Sequence, residues 1–157
     1  SDMIINNLVE KEISDKNYSD RLIFDGYPRN LEQAKHLNAL IIKYNQEISC
    51  VLSLKLTKSV VIKRILGRQT CSNCGLIFNT FFNPATISNH SCDSNFLQKR
   101  SDDNEDTIQN RFEIYVKETL PILDYYQNQN ILYEIDAMCD IPSIYKEIRR
   151  VIHSLET

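Results

Sequence analysis

The chain has 157 residues, of which 42% are apolar and 25% charged, so it can bury one core and carries at most a small insert. A net charge of −3 gives no basic footprint for nucleic acid or for an anionic membrane surface. No apolar run approaches the roughly 18 residues that a membrane span requires. We therefore expect a soluble protein whose anionic ligands, if any, are attracted by local arginines.

Periodicity in the first half of the chain predicts helices alternating with strands. The predicted elements are a helix over Met3–Ile13, a buried strand over Arg21–Phe24, a helix over Leu31–Lys43 and a strand over Ile48–Leu56. Asn30 and Gln33 form a capping-box pattern that opens the second helix. The strand Ile48–Leu56 is nearly all apolar at its start, so we expect it to be buried on both faces, as in a parallel sheet. The alternation predicts a doubly wound α/β architecture.

The second half is interrupted by an irregular insert of short strands and turns. The predicted elements are a helix that carries Arg64 and Arg68 and stops at Gly67 or just beyond, the insert from residue 69 to about 100, a helix after Asp102–Asp106, a strand over Asn130–Asp136 and a helix over Ile141–Leu155. Arg64 and Arg68 are four apart, so a continuous helix would present both guanidinium groups on one face. Pro121 is expected to kink or restart the helix that follows the insert.

Four arginines flank the insert, two on each side: Arg64 and Arg68 before it, and Arg100 and Arg111 after it. This arrangement suggests a small flap with cations at both hinges that folds over an anionic ligand, with phosphate the obvious candidate. Each arginine taken singly could simply solvate a helix. That alternative weakens when four flank one insert.

A second candidate site follows the predicted strand Arg21–Phe24. Asp25 lies where a phosphoryl-transfer enzyme needs a carboxylate to orient a hydrated Mg²⁺, although it could equally just tighten the turn before Gly26. Arg29 offers a bidentate fork to a phosphate. Gln33 is either a structural helix cap or a side chain whose amide contacts an adenine edge.

Three of the five cysteines form a local group with metal-ligand spacing. Cys71-x-x-Cys74 is a thiolate knuckle and Cys92 follows 18 residues after Cys74, but a Cys₄ site would need a cysteine where Asn95 stands. Two nearby side chains could supply a fourth ligand instead: His90 and Asp93. Zinc bound here would stabilise an insert too small for its own core. The alternatives are three unligated thiols or a Cys71–Cys74 disulfide.

The other two cysteines, Cys50 and Cys139, stand alone in apolar runs. One local site plus two isolated thiols differs from the disulfide framework of a small secreted protein. The cysteine distribution therefore favours a reducing compartment, and we expect a cytoplasmic protein.

Together these motifs resemble bacterial adenylate kinases, from about residue 1 to the C-terminus. The matching stretches, in family order and spacing, are Asp25–Arg29 with Gln33, Arg64–Arg68, the Cys71/Cys74/Cys92 lid, Phe81–Pro84, Arg100–Asp103, Arg111 and Tyr125–Tyr126. The resemblance implies a P-loop kinase-like doubly wound parallel sheet with a small zinc-ribbon-like β lid insert. It also implies transfer of the γ-phosphoryl group of MgATP to AMP, which gives two ADP, by a cytoplasmic monomer.

The resemblance further implies a domain division and residue roles. Residues 1–68 would form the first part of the core with the monophosphate-site signature, 69–100 the lid, and 101–157 the rest of the core. The implied AMP contacts are Gly26, Tyr27, Pro28, Arg29, Gln33, Arg100 and Arg111, and the implied ATP contacts are Arg64, Arg68, Ile77 and Phe78. The implied catalytic residues are Arg68, Arg100, Arg111 and Asp25, with Mg²⁺ bound to ATP and structural Zn²⁺ on Cys71, Cys74 and Cys92. Asp102 and Asp103 would hold the lid arginines in register.

Two features depart from the family pattern. The fourth zinc position is Asn95, and the 157 residues contain no G-x-x-x-x-G-K-[ST] phosphate-binding loop, because none of Gly26, Gly67 and Gly75 precedes a lysine. We therefore expect the later three-quarters of an adenylate kinase, without the N-terminal strand and P-loop, that is inactive by itself. The alternatives are a non-catalytic zinc-binding or nucleotide-binding module and a kinase for another nucleoside monophosphate. The zinc-type lid and Gln33 favour AMP.

Overall fold

The structure is a computed structural model that describes residues 2–156. Residues up to Leu54 and from Ile114 onward form one compact unit, the core unit, and Lys55–Glu113 form another, the lid unit. The helices are α1 (Asp2–Ser14), α2 (Leu31–Lys43), α3 (Lys58–Leu66), α4 (Glu105–Ile114), α5 (Pro121–Gln127) and α6 (Ile141–Leu155), with a π-helical turn over Tyr115–Thr119. The strands are β1 (Val51–Lys55), β2 (Arg68–Cys71), β3 (Ile77–Asn79), β4 (Leu97–Gln98) and β5 (Leu132–Asp136). None of the described helices is long and apolar enough to cross a membrane.

The core unit is organised around α2, whose inner face is apolar at helical spacing. One side of this helix packs on α1 and the other on α5. The first buried cluster contains Ile13, Leu37, Leu40 and Ile41, and the second contains Ala34, Ile122 and Tyr126. A two-stranded parallel sheet of β1 and β5 completes the unit, which makes the fold α/β with a parallel sheet.

The bounds predicted for α2 are confirmed, and its N-terminus explains why. The Asn30 side-chain oxygen accepts a hydrogen bond from the Gln33 backbone N–H at 2.8 Å, which satisfies one of the orphan donors of the first turn. Gln33 does not complete the capping box, since its side chain accepts from the Arg29 N–H instead. Only the Asn30 side chain therefore caps the helix, and the side-chain amide of Gln33 hydrogen-bonds the turn before it.

The strand predicted over Arg21–Phe24 is wrong. These residues form no strand, and Ile23 is 94% exposed. An extended segment becomes a strand only when a neighbour pairs with its backbone, and within residues 2–156 the β1 ladder runs to β5. The expectation that β1 is buried on both faces is also wrong, because its residues are half-buried or exposed in this two-stranded sheet.

The lid unit confirms the predicted short strands and turns. Its sheet is antiparallel with the order β3-β2-β4, and Arg68 pairs with Asn79 across β2 and β3. The predicted stop of the hinge helix at Gly67 is confirmed, because α3 ends at Leu66 with Gly67 as its C-cap, but Arg68 lies beyond the helix end. Arg64 therefore lies on the helix and Arg68 on a strand, so the prediction that they share a helical face is wrong.

The segment after α4 leaves α-helical geometry before it restarts. The Leu120 N–H bonds to the Tyr115 carbonyl at 2.9 Å, five residues back, and α5 begins at Pro121 as predicted. The extra residue in this turn shifts the neighbouring side chains around the helix axis, so the apolar side chains expected on one face no longer line up. Tyr115 and Val116 are accordingly exposed, whereas Ile108 stays buried.

Candidate functional site

The turn from Asp25 to Arg29 needs its glycine. Gly26 has a φ of +74°, a conformation that side-chain-bearing residues rarely adopt, and the Tyr27–Pro28 peptide bond is cis. The Arg29 Nε–H donates to the Gly26 carbonyl at 2.7 Å. The turn thus folds back on its own arginine, while Asp25 and Arg29 remain exposed.

Arg29 is held by both of its backbone groups. Its N–H donates to Gln33 Oε1 at 2.7 Å, and its carbonyl accepts from Thr119 Oγ1 at 2.8 Å. Because the main chain is fixed on both sides, the guanidinium group projects from an ordered base. This arrangement suits the recognition of a phosphate.

Gln33 is buried, with 4% of its surface exposed, and both ends of its amide have protein partners. Oε1 accepts from Arg29, and Nε2 donates to Asp2 Oδ1 at 2.8 Å. Tyr27 joins the same cluster, since its hydroxyl donates to Asn6 Oδ1 at 3.1 Å and burial, together with the Asp2 charge, raises its pKa. The adenine contact implied for Gln33 stays a prediction, and it would require exchange of the bond to Asp2.

In the lid unit, Arg68 forms a bidentate ion pair with Asp103. Nε lies 3.0 Å from Oδ2 and Nη2 lies 2.6 Å from Oδ1, and the carboxylate is fully buried. The hydrogen bonds that Arg68 donates to Asp103 raise the pKa of Arg68. Arg68 is therefore a permanently charged and oriented side chain.

A second ion pair joins Arg111 Nη2 to Asp102 Oδ2 at 2.6 Å. This hydrogen bond, aided by the charges of Arg111 and Arg100, lowers the pKa of Asp102. Both partners are about half exposed, so solvent screens the pair more than it screens Arg68 and Asp103. Asp102 and Asp103 do hold lid-unit arginines, as predicted.

Three further predicted nucleotide contacts lie on two elements of the lid unit, α3 and β3. Arg64, near the end of α3, has its guanidinium carbon 5.7 Å from the centroid of the Phe82 ring. Ile77 is 60% exposed, whereas Phe78 is buried and meets the His90 ring edge-on at 4.8 Å. A nucleotide contact by Phe78 stays a prediction and would fall to its backbone.

The predicted cysteine group assembles with a fourth residue. The ligand atoms of Cys71, Cys74, His90 and Cys92 all lie within 4.8 Å of one another, and the three thiols are free. Tetrahedral zinc with Zn–S bonds of about 2.3 Å separates its sulfur ligands by roughly 3.8 Å, so a small contraction of this cluster would accommodate the ion. Asp93, the other candidate, instead accepts the Asn95 N–H at 2.8 Å as a helix cap.

The electrostatics of the cluster also fit a metal. Burial raises the pKa of Cys71, but hydrogen bonds from the Cys74 N–H, the His90 side chain and the Asn73 N–H outweigh it and lower the value to about 6. The Leu76 N–H lowers the pKa of Cys74, but burial and the neighbouring thiols raise it by more. His90 Nε2 is buried and has no hydrogen-bond partner in the part of the chain that the structure describes. A cluster with one ionised thiol and one orphaned imidazole nitrogen has the donor set of a Cys₃His zinc site.

The sequence analysis missed several positioning side chains. Asp2 meets Gln33 across 31 positions, and Thr119 meets Arg29 across 90. No local pattern marks either residue, because a contact at that separation depends on the packing of whole elements. Asn79, whose side chain bonds to the Arg64 carbonyl, was missed for the same reason.

Comparisons with known proteins agree with this geometry. A family model for adenylate kinase matches residues 1–131. The adenylate kinase of Pelagibacter ubique (strain HTCC1062) is 38% identical over 152 residues, which cover 97% of this chain and 71% of that protein. Those of Nitrosococcus oceani (34% identical; 98% of this chain, 72% of that protein) and Archaeoglobus fulgidus (32%; 99% and 72%) are similar over comparable lengths. This chain belongs to the adenylate kinase family.

Proposed function

We propose that this chain is the part of an adenylate kinase that carries the monophosphate-site signature and the lid, in a protein that transfers the γ-phosphoryl group of MgATP to AMP and yields two ADP. The observation that carries the proposal is Arg29, whose backbone is bound on both sides while its guanidinium stays exposed in a family-matching turn. Family membership also supports the finer architecture: a doubly wound P-loop kinase sheet with a zinc-ribbon-like lid over residues 69–100, inserted between core segments 1–68 and 101–157.

AMP recognition is assigned to the Gly26–Arg29 turn of the core unit. Arg29 donates Nε–H to Gly26, and the rest of its planar fork suits the oxygens of a phosphate. Gln33 is proposed for the adenine and Tyr27 and Pro28 for the walls of the site. Arg100 and Arg111 are proposed for the AMP phosphate and for the transferring phosphoryl group.

ATP recognition is assigned to the lid unit. Arg64 is proposed for the adenine side, with Ile77 and Phe78 as further nucleotide contacts, and Arg68 for the phosphates. Because Asp103 already holds Arg68 in one orientation, Arg68 stabilises the charge that develops on the phosphates in the transition state without first changing its conformation. Asp25 is proposed to orient the waters of Mg²⁺, and the ion bound with ATP neutralises phosphate charge.

A structural zinc ion is proposed for Cys71, Cys74, His90 and Cys92. The lid unit has few buried apolar side chains; one of them, Cys71, belongs to this cluster, and another, Phe78, packs against its His90 ring. A metal that crosslinks the end of β2 to the loop before β4 would supply stability that packing alone does not. His90 then takes the place that a fourth cysteine would occupy at Asn95.

Assays of ADP formation test the proposed activity. Protein expressed from the whole reading frame is expected to form ADP from ATP and AMP, and to use CMP, UMP or GMP far more slowly. The 157-residue chain by itself is expected to be inactive, because it has no phosphate-binding loop to position the β- and γ-phosphates. Turnover by the mass-verified 157-residue chain would contradict this expectation.

A second candidate function is a non-catalytic metal-binding module. The Cys₃His cluster favours it, and so does the absence of a G-x-x-x-x-G-K sequence from these residues. Protein from the whole reading frame that binds zinc but forms no ADP with any acceptor would establish this alternative.

A further inference from the structure

Asn79, the last residue of β3, joins two separate parts of the lid unit through one side-chain amide. Its Nδ2 donates to the Arg64 carbonyl at 2.8 Å. Its Oδ1 accepts the backbone N–H groups of Phe81 at 3.0 Å and of Phe82 at 3.3 Å. The end of α3 and the turn after β3 are thus tied to the same group.

The backbone of Asn79 strengthens this connection. Asn79 and Asn83 exchange two hydrogen bonds of 2.9 Å, which close the turn that carries Phe82. Asn79 is also the ladder partner of Arg68 at the start of β2. Asn79 therefore contacts the main chain of Arg64 through its side chain and pairs with Arg68 through its backbone.

The side-chain oxygen of Asn79 packs closely against Gly67. A Cβ atom added to Gly67 would lie 2.6 Å from Asn79 Oδ1, 2.6 Å from Phe81 Cδ2 and 2.9 Å from the Lys63 carbonyl. Gly67 has an ordinary φ of −82°, so the close approach, and not the backbone conformation, requires glycine. The amide of Asn79 is consequently locked between α3 and the turn.

This locking determines how Arg64 and Phe82 face each other. The Arg64 carbonyl and the Phe82 N–H both bind the Asn79 amide, so their side chains leave neighbouring points of the main chain. The guanidinium carbon then lies 5.7 Å from the ring centroid. A planar base can stack on a guanidinium or an aromatic face only if that face is held at a fixed angle.

We infer that Asn79 is a positioning residue for the ATP side of the reaction, which sets the relative placement of Arg64 and Phe82. The inference rests on the proposed assignment of Arg64 to ATP. Asn79 has no proposed contact with nucleotide, and its effect is transmitted through the main chain of the two residues it ties together. Loss of the amide should weaken ATP use and leave AMP use as it is.

The test compares variants of the protein expressed from the whole reading frame. Asn79→Leu keeps the number and branching of the side-chain heavy atoms and removes the hydrogen bonds. It is expected to raise KM for ATP about three- to tenfold, the size of one or two lost hydrogen bonds, with KM for AMP and kcat within about twofold. Asn38→Leu is the matched control, because Asn38 also bonds through its amide, to Tyr125 and Gln129 in the core unit. The control is expected to leave the ratio of the two KM values unchanged.

Arg64→Ala separates this inference from the function on which it rests. If Arg64→Ala raises KM for ATP and Asn79→Leu does not, or if Asn79→Leu raises both KM values equally, the positioning role is overturned and the proposed function stands. If Arg64→Ala leaves KM for ATP unchanged, the assignment of Arg64 fails and the inference fails with it.

Asn79→Asp and amide exchange provide readouts for the case in which the leucine variant does not fold. The aspartate keeps an acceptor for the Phe82 N–H and loses the donor to the Arg64 carbonyl. It is expected to leave the hydrogen-exchange rate of the Phe82 amide in the 157-residue chain unchanged, whereas Asn79→Leu should speed that exchange. In protein from the whole reading frame, Asn79→Asp is still expected to raise KM for ATP. An unchanged KM for ATP in Asn79→Asp would overturn the role given to the Arg64 bond.

Discussion

The Asp25–Arg29 turn of the core unit and the lid unit hold arginines by different physical means. In the turn, the main chain of Arg29 is bound by neutral donors and acceptors from Gln33 and Thr119, above a buried apolar core. In the lid unit, Arg68 is held through its charge by a buried carboxylate, near a cysteine and histidine cluster. The first arrangement depends on hydrogen bonds between uncharged groups, whereas the second depends on ionisation.

Removal of a proposed zinc ligand should have the largest effect on structure, and this effect should be confined to the lid unit. Cys92→Ser is expected to lower bound zinc well below one per chain. It is also expected to unfold the lid unit, because structural zinc contributes on the order of 10 kcal/mol to the folding free energy of such domains. The core unit is expected to keep its structure, since its packing does not involve the cluster. Metal analysis together with amide NMR spectra measures both effects.

Cys139→Ser is the control for that experiment, because Cys139 is an exposed cysteine of the core unit outside the cluster. It should bind as much zinc as the wild type. Equal zinc in Cys92→Ser and the wild type would remove Cys92 from the site. Substoichiometric metal in the wild type itself would contradict the zinc proposal.

Substitution of the two arginines should give intermediate effects on different nucleotides. Arg29→Ala is expected to weaken AMP use, and Arg68→Ala is expected to weaken ATP use and turnover. A lost charge-assisted phosphate contact costs about 1.5–3 kcal/mol, or roughly ten- to hundredfold. Steady-state kinetics of protein from the whole reading frame, with each nucleotide varied in turn, compares the variants. Identical kinetic profiles would refute the division between the two regions.

The smallest expected effect is on acid stability, through Asp102. Its pKa is lowered in the folded protein, so it stabilises the fold above its unfolded-state pKa, and this contribution is lost as the pH falls through the lowered value. Asp102→Asn should therefore reduce Tm slightly at neutral pH and make Tm less dependent on pH in the acid range below about 4. Calorimetry from pH 7 to pH 3 tests this, with Asp124→Asn as a control of equal charge change. A parallel shift of both variants at every pH would exclude a specific role for the pair.

Elements with local signals were predictable from the sequence, and elements that depend on a distant neighbour were not. The Asn30 side chain bonds to a backbone N–H three residues on, and this local cap pattern predicted the start of α2 correctly. The start of α6 at Ile141 was also predicted correctly, and the structure shows Asp140 as its cap. Arg21–Phe24 has strand-like composition, but pairing needs another strand, and composition carries no information about one. Gly67 marked the end of α3 correctly, but a glycine near a helix end leaves open whether the next residue is still helical, so Arg68 was wrongly placed on the helix.

The same distinction applies to the candidate sites. The Cys71–Cys74 knuckle is a local signal, and it led directly to the cluster. The choice between His90 and Asp93 required three-dimensional structure, because Asp93 is used by a turn that its own neighbours define. Likewise, sequence spacing identified Gln33 as a helix cap or a ligand contact, whereas the fold shows an amide shared between Arg29 and Asp2.

The bidentate pair of Arg68 and Asp103 has an entropic consequence for the phosphate contact proposed for Arg68. Asp103 engages Nε and Nη2, which lie on one edge of the guanidinium plane, and leaves Nη1 on the opposite side for a second anion. Long cationic side chains lose about 2 kcal/mol of rotamer freedom when they are immobilised. For Arg68 that loss occurs on folding and not on binding. The free energy of folding therefore includes this loss of rotamer entropy, which a mobile arginine would undergo each time it bound phosphate.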